Sequence, residues 1–369
     1  MSVLVVTNDF PPRQGGIETF VRSLCDQVDP VVFTASMPGA TGYDAGLPFP
    51  VVRDRASMLL PTPRATRHAA RILREHRCDR VLFGAAAPLG LMGPALRVAG
   101  AERVVAMTHG HETWWSSVPG TRSALRRIGA AADVVTYVSG WCGARIAPAL
   151  PAGTTMRRLA PGVDVSRFHP GCGGAELRES LGLAGVPVVT CVSRLVPRKG
   201  QDTLIRAWPR VRAAVPDAVL LLVGGGPDRD RLRALAGSLG IGEAVRFTGS
   251  VPWATIPPYV ELGDVFAMPC RTRRFGLEPE ALGIVFLEAA ACGLPVVAGD
   301  SGGTEDAVRH GETGYLVDPY NPVAVAVRLI ALLRDPALAR RLGARGREWV
   351  ASEWTWDRAG AELRSALDV

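Results

Sequence analysis

The strongest constraint on this chain is a strand–turn–helix pattern that starts twice. Val3–Thr7 reads as a strand, Asn8–Gly16 as a turn and Ile17–Val28 as a helix. Near residue 187 the pattern restarts, with Val188–Val192 as a strand, Ser193–Gly200 as a loop and Gln201–Val211 as a helix. Further strands are predicted at Pro30–Ala35, Arg80–Phe83, Val104–Thr108 and Val134–Val138, then at Ala218–Val223, Val245–Thr248, Val265–Met268 and Pro295–Ala298. Strands that are apolar throughout are buried on both faces, and their alternation with amphipathic helices builds parallel sheets.

The expected fold class is therefore α/β, with two Rossmann-like domains whose sheets face a central cleft. A chain of 369 residues gives each domain enough length for a core of its own. The boundary is predicted in the turn-rich stretch Pro161-Gly162-Val163-Asp164 to His169-Pro170-Gly171, giving domains 1–168 and 169–354. A last helix within 355–369 is free to dock back on the first domain. In such folds ligands bind at the C-terminal ends of the strands.

No apolar run reaches the ~18–20 residues of a membrane span. The opening Val3–Val6 run is too short for a signal peptide and ends in Asn8-Asp9, so a cytoplasmic protein is expected. The seven cysteines include no C-x-x-C pair, which fits reduced, buried thiols better than a disulfide framework or a zinc site. The net charge of +7 suits phosphorylated ligands or an anionic membrane surface, and no nucleic-acid partner is expected. Lys199 is the only lysine among 42 strong cations, in a chain that otherwise uses arginine. A compact ammonium enters a tight phosphate pocket that a guanidinium fork does not.

Three loops have the chemistry to hold phosphate. Gly15-Gly16 opens the first helix, where amides approach an anion and the helix dipole favours it; a plain strand-to-helix turn would look the same. Arg194 and Lys199 lie in the loop after Val188–Val192, which is not a Walker A motif; the competing reading is a solvated basic loop. Glu280 and Glu288 stand eight residues apart across a predicted helix start at Gly283-Ile284-Val285, whose amides would face an anion. Gly224-Gly225-Gly226 fails as a dinucleotide fingerprint because Arg229 takes its last position, and is read instead as backbone lying close to a nucleotide. His109 and His111 have spacing that suits a metal, but no third ligand accompanies them and none is expected; His109 is read as a hydrogen-bonding group at the cleft.

Together these elements resemble the retaining glycosyltransferases of family 4, with the GT-B fold, over nearly the whole chain. The Glu280/Glu288 element, the Arg194/Lys199 pair and the Gly15-Gly16 loop match that family's motifs in order. Thr7–Pro12, Thr108-His109-Gly110-His111-Glu112 and Phe266–Arg271 resemble a narrower group, the GDP-mannose-dependent phosphatidylinositol monomannoside mannosyltransferases. The resemblance implies a nucleotide-sugar donor such as GDP-mannose, an inositol-lipid acceptor and no structural cofactor. It implies that Gly16 donates to the donor diphosphate, that Arg194 and Lys199 neutralise the leaving phosphate, and that Glu288 accepts from the ribose. Glu280 and His109 would contact the sugar, Gly283, Ile284 and Val285 would cap phosphate and sugar, and Val251 would read the base. Pro161 replaces the family's usual Asn before Gly-Val-Asp.

Arg64, Arg67, Arg71 and Arg74 recur at helical spacing after Met58-Leu59-Leu60-Pro61, which suggests a basic stripe for an anionic membrane; a solvated helix face is the competing reading. The sequence leaves open another sugar nucleotide, a soluble acceptor such as an inositol phosphate, or a sugar-nucleotide epimerase. It fixes no oligomeric state.

Overall fold

The structure, a computed structural model, describes residues 2–13 and 15–369, with Phe275 described by its backbone. Gln14, inside the first glycine loop, lies outside the described residues. The chain forms two compact units, Met1–Gly162 with Trp356–Val369, and Val163–Thr355.

The first unit holds a seven-stranded parallel sheet of β1 (Val3–Thr7), β2 (Pro30–Thr34), β3 (Val51–Arg53), β4 (Arg80–Phe83), β5 (Arg103–Met107), β6 (Val134–Tyr137) and β7 (Thr155–Arg158). Their order is β3-β2-β1-β4-β5-β6-β7. The apolar runs of β1, β2 and β4 are buried along their length because helices cover both faces. Leu4, Val6, Phe33, Phe83, Ile72 and Leu96 centre one core cluster. The terminal helix Trp356–Leu367 belongs to this unit, where Arg364 donates to the Gln27 carbonyl at 3.1 Å and Arg103 to the Ala366 carbonyl at 3.0 Å.

The second unit repeats the plan with β8 (Val188–Val192), β9 (Val219–Val223), β10 (Val245–Gly249), β11 (Val265–Met268), β12 (Val296–Gly299) and β13 (Gly314–Val317), all parallel, in the order β10-β9-β8-β11-β12-β13. In each sheet the order reverses once, between β1 and β4 and between β8 and β11. That reversal opens a crevice at the strand C-termini, the usual ligand position of such sheets. The parallel α/β architecture expected from the sequence is present in both units.

The edge strands β3, β7 and β13 escape the sequence reading, whereas β10, also at an edge, matches the strand expected at Val245–Thr248. β7 is Thr-Met-Arg-Arg with no buried residue, and β3 has three partly exposed residues, so neither carries an uninterrupted apolar run. Predicted ends differ elsewhere by a residue or two, and the first helix stops at Cys25 rather than Val28.

The helix Pro336–Glu353 packs against the turn that ends the helix Ile284–Ala291, and a Cβ at Gly343 would run into the Gly293 carbonyl. Gly343→Ala should therefore destabilise the protein by about 1–3 kcal/mol, as overpacking does, read as a lower urea midpoint with unchanged slope. An unchanged midpoint would show that this approach is not tight.

Candidate functional site

At the reversal point of the second sheet, two crest loops meet. One follows β8, Ser193–Gly200; the other follows β11 and runs from Pro269 to Gly283. Gly200 has φ +75, and a Cβ there would strike the Pro269 carbonyl, so glycine satisfies both the turn and the close approach. The Arg271 amide donates to the Arg198 carbonyl at 2.8 Å, and Arg198 Nη1 donates to the Pro279 carbonyl at 2.8 Å. Gln201, buried at the start of the helix Gln201–Ala214, donates to Ser193 Oγ at 2.9 Å and to the Arg194 carbonyl at 3.0 Å.

Lys199 Nζ donates to Glu280 Oε2 at 2.6 Å, and Arg198 Nη1 lies 4.0 Å from the same oxygen. Burial alone would raise the Glu280 pKa, but the charges of Lys199 and Arg198 hold it below the ordinary carboxylate range. Glu280 is thus an ionised, buried carboxylate whose charge is shared between two cations. Its amide donates to Ser301 Oγ at 3.3 Å, and its carbonyl accepts from the Gly303 amide at 2.8 Å.

Three residues on, Gly283 (φ +84) caps the helix Ile284–Ala291 without a side-chain cap, and a Cβ built on it would stand 3.5 Å from Glu280 Cγ. The first amides of that helix have no carbonyl acceptor within it. Lys199, Glu280 and the helix start at Gly283-Ile284-Val285 therefore converge. Glu288 lies one turn into the helix. Packing around its carboxyl pushes its pKa up to about 7, with Arg167 opposing the rise. The two carboxylates of the E-x7-E element are thus differentiated, one held ionised and the other poised near neutrality.

Arg194 is exposed, and among the described residues its guanidinium has no hydrogen bond or ion pair with the protein. The glycine triplet 224–226 lies against the same loop. A Cβ on Gly224, Gly225 or Gly226 would collide with the Ser193 carbonyl, Ser250 Oγ or the Leu195 carbonyl. The close approach these glycines permit is thus to protein backbone and to the segment carrying Val251, a reason the sequence did not disclose. Val251 is partly exposed two residues after β10.

The remaining candidates lie in the first unit. Gly15 precedes the helix Gly16–Cys25, and Glu18, paired with Arg13 at 2.9 Å, fills the space where a Gly15 Cβ would stand; a Cβ on Gly16 would meet nothing. His109 follows β5. Its amide donates to Glu112 Oε2 at 2.9 Å, and its Nε2–H donates to the Gly84 carbonyl, which leaves Nδ1 as an acceptor. Burial pushes its pKa down against the pull of Glu112, so the ring is neutral near pH 7. Arg64, Arg67, Arg71 and Arg74 all lie exposed on the helix Pro63–Glu75, whose other face buries Ala65, Ala69, Ile72 and Leu73. Arg64 pairs with the buried Asp54, and Arg71 lies 3.7 Å from Glu75. Among the described residues no group of three or more His, Cys, Asp or Glu could hold a metal ion.

Sequence reasoning overlooked Arg198, Ser301 and the Gly302-Gly303 turn, which support Glu280 from both sides. A visible signal existed for the last: paired glycines just beyond an apolar strand, as at Gly15-Gly16.

Two parallel sheets that each reverse once, the second with a basic, glycine-lined crest, fit the GT-B class of glycosyltransferases. The family model for group 1 glycosyl transferases matches residues 175–349, and that for glycosyltransferase family 4 matches 14–167. The chain is 48% identical to the GDP-mannose-dependent alpha-(1-6)-phosphatidylinositol monomannoside mannosyltransferase of Mycolicibacterium smegmatis, over 99% of this chain and 98% of that protein. It is 45% identical to the GDP-mannose-dependent monoacylated alpha-(1-6)-phosphatidylinositol monomannoside mannosyltransferase of Corynebacterium glutamicum, over 99% and 97% of the two chains. Among solved structures, Anabaena Alr3699/HepE in complex with UDP superposes with a TM-score of 0.84 over 100% of both chains at 21% identity, a likeness of fold. The chain belongs to glycosyltransferase family 4.

Lys199→Met should destabilise the protein by about 3 kcal/mol at pH 7, because it leaves a buried carboxylate short of its main partner. The folded pKa of Glu280 is lowered, so the pair's contribution is present above the ordinary carboxylate value and lost as pH falls through the folded value. Chemical denaturation from pH 7 to pH 3 should show the deficit shrinking with acidification; a deficit independent of pH would contradict the pairing.

Proposed function

We propose that this protein transfers mannose, with retention, from GDP-mannose to a phosphatidylinositol monomannoside at a membrane surface. The observation that carries the reading is end-to-end identity of 45–48% to transferases named for that reaction, on a chain in which Lys199 meets Glu280 near the helix start at Gly283. A different sugar nucleotide, a soluble inositol phosphate acceptor or donor epimerisation are the alternatives.

In this reading Lys199 and Arg194 receive the donor diphosphate with the amides of Gly283, Ile284 and Val285, and Gly15 and Gly16 contribute amides from the first unit. Among the described residues Arg194 has no side-chain partner, whereas Lys199 divides its charge between Glu280 and the phosphate. The bond from the anomeric carbon to the phosphate oxygen breaks, and negative charge gathers on the departing phosphate, where these preorganised groups stabilise it. The acceptor hydroxyl attacks on the same face, and its proton passes to the departing phosphate oxygen. Glu280, kept ionised, accepts from hydroxyls of the transferred sugar. Neutral His109 offers Nδ1 as a further acceptor towards the sugar. Glu288 accepts from the ribose and Val251 reads the base.

For the membrane, the helix that carries the four exposed arginines follows, in the chain, Met58 and Leu60, which are 61% and 49% exposed. Between them Leu59 is buried and bracketed by Asn8, which donates to its carbonyl at 3.0 Å and accepts from its amide at 2.7 Å. Among the described residues no helix is long and apolar enough to cross a membrane. Attachment through this face would be peripheral, and the cytoplasmic leaflet is the expected site.

Incubation with radiolabelled GDP-mannose and a panel of inositol lipids should label the lipid one mannose beyond the monomannoside. Label on inositol phosphate instead, or release of an epimerised donor, would replace the reading with one of its alternatives. A covalent glycosyl-enzyme trapped by mass spectrometry would overturn the same-face step. In liposome flotation the protein should prefer anionic vesicles, with Arg67→Gln and Arg74→Gln each costing about 1 kcal/mol and Arg64→Gln less, because Asp54 already neutralises Arg64; equal binding to neutral vesicles would end the membrane proposal. GDP affinity should rise with pH up to about 7 and then level off, as Glu288 ionises. Glu288→Gln should flatten that profile in calorimetric titrations, and a profile unchanged by the substitution would contradict the assigned role.

A further inference from the structure

His111 and Glu112 have no part in the mechanism above, yet they stand close to the reversal of the first sheet. The loop after β5 carries both, together with His109. It meets the reversal at Gly84, the residue after β4. The Gly84 amide donates to the Val6 carbonyl of β1 at 2.9 Å, and the Gly84 carbonyl accepts from His109 Nε2. Gly110 has φ +101, and Thr113 Oγ1 donates to its carbonyl at 2.6 Å, so the backbone turns between the two histidines and is tied down there. The two imidazoles lie nearly parallel, at 20°, with centroids 6.5 Å apart. His109 is buried, and the His111 side chain is 38% exposed.

Glu112 is fully buried and serves both histidines. Its Oε2 accepts from the His109 amide at 2.9 Å, and its Oε1 lies 3.1 Å from His111 Nε2. Among the described residues Oε1 accepts no well-aligned hydrogen bond from the protein. A buried carboxylate oxygen is costly without a donor, which favours the tautomer with hydrogen on His111 Nε2. In the neutral ring Nδ1 is then an acceptor. His109 is arranged in the same way, with Nε2 on the Gly84 carbonyl. Among the described residues neither Nδ1 has a hydrogen-bond partner. Two near-parallel rings, each anchored through Nε2 and each with an unused acceptor, suit a ligand that carries hydroxyl donors on a rigid ring. Both substrates of the proposed reaction, a hexose and an inositol glycoside, are of that class.

We propose that His111 is a second hydroxyl-binding residue beside His109, and that Glu112 is the positioning residue that fixes its tautomer. The ligand is a hydroxyl on a sugar or cyclitol ring, belonging either to the transferred sugar or to the acceptor. This rests on the proposal that the crest of the first unit faces the substrates. The carboxylate decides which ring nitrogen carries hydrogen before substrate arrives, so binding has little left to order.

The test is steady-state transfer by the full-length protein from GDP-mannose to phosphatidylinositol monomannoside, with kcat and KM taken for each substrate in turn. Wild type is compared with His111→Ala, His111→Asn, Glu112→Gln and His111→Asn combined with Glu112→Gln, each below its own melting transition. His111→Ala should lower kcat/KM about tenfold, the size of one lost hydrogen bond. The substrate whose KM rises is the one that carries the hydroxyl. In His111→Asn the side-chain oxygen takes the place of Nδ1, so most of the activity should return. In Glu112→Gln the carboxamide keeps its oxygen on the His109 amide and turns its NH2 towards His111. The tautomer then reverses, Nδ1 becomes a donor, and the loss should match that of His111→Ala. In the His111→Asn background Glu112→Gln should cost nothing further, since no ring remains to reverse. Wild-type kcat/KM for both substrates in His111→Ala overturns the proposal. So does a Glu112→Gln loss of equal size in both backgrounds, which is how a merely structural carboxylate would behave. Should wild type prefer another donor or acceptor, the function proposed above fails, while the same comparison on that pair still decides the role of His111.

Discussion

The ion pair between Lys199 and Glu280 is the contact on which the rest of the donor half depends. It ties the loop after β8 to the loop after β11, the two strands that flank the reversal of the sheet. Those loops are close enough that Gly200 has no room for a side chain beside Pro269. Without cations at this point, Glu280 would be a buried, uncompensated carboxylate and would take up a proton. With Lys199 and Arg198 beside it, the carboxylate stays charged, and the helix that begins at Gly283 keeps its free amides close by. A single interaction thus supports the local fold and sets the charge of the crest.

Much of this was legible in the sequence, and the limits have physical causes. Central strands such as Val3–Thr7 and Val219–Val223 are buried at every position and apolar in all but Thr7, because helices cover both faces, so their runs announce them. β7 lies at an edge and is polar, so only its pairing with β6 reveals it. For the donor half, residue types and order were enough to nominate Lys199, Glu280 and Gly283. What they could not supply was the partner of each charge. Lys199 looked like a cation waiting for phosphate, yet it already holds a carboxylate. Spacing assigned Glu280 and Glu288 no difference in charge state, yet cations stabilise the ionised form of one while burial destabilises that of the other. Glycines 224–226 signalled a close approach, but the approaching group is the loop around Ser193–Leu195. Such differences arise from long-range packing, which spacing along a chain does not encode.

The electrostatic arrangement also has a consequence for specificity. A site meant for a diphosphate has to present positive charge without keeping an unpaired buried cation in its absence. Here the exposed guanidinium of Arg194 remains in solvent, while the more buried ammonium of Lys199 is neutralised internally. Incoming phosphate then competes for a cation already desolvated and oriented, so little reorganisation accompanies binding. Lysine suits that shared position because its compact charge can lie between two anions, whereas an arginine fork is drawn to a single bidentate partner.

The central claim is that Lys199 and the amides at Gly283 act on the phosphates rather than on the nucleoside. Isothermal titration of wild type and Lys199→Met with GDP and with guanosine separates the two directly. The account predicts that the variant loses at least about tenfold in affinity for GDP and keeps its affinity for guanosine. Equal losses for both ligands, or an unchanged affinity for GDP, would contradict it.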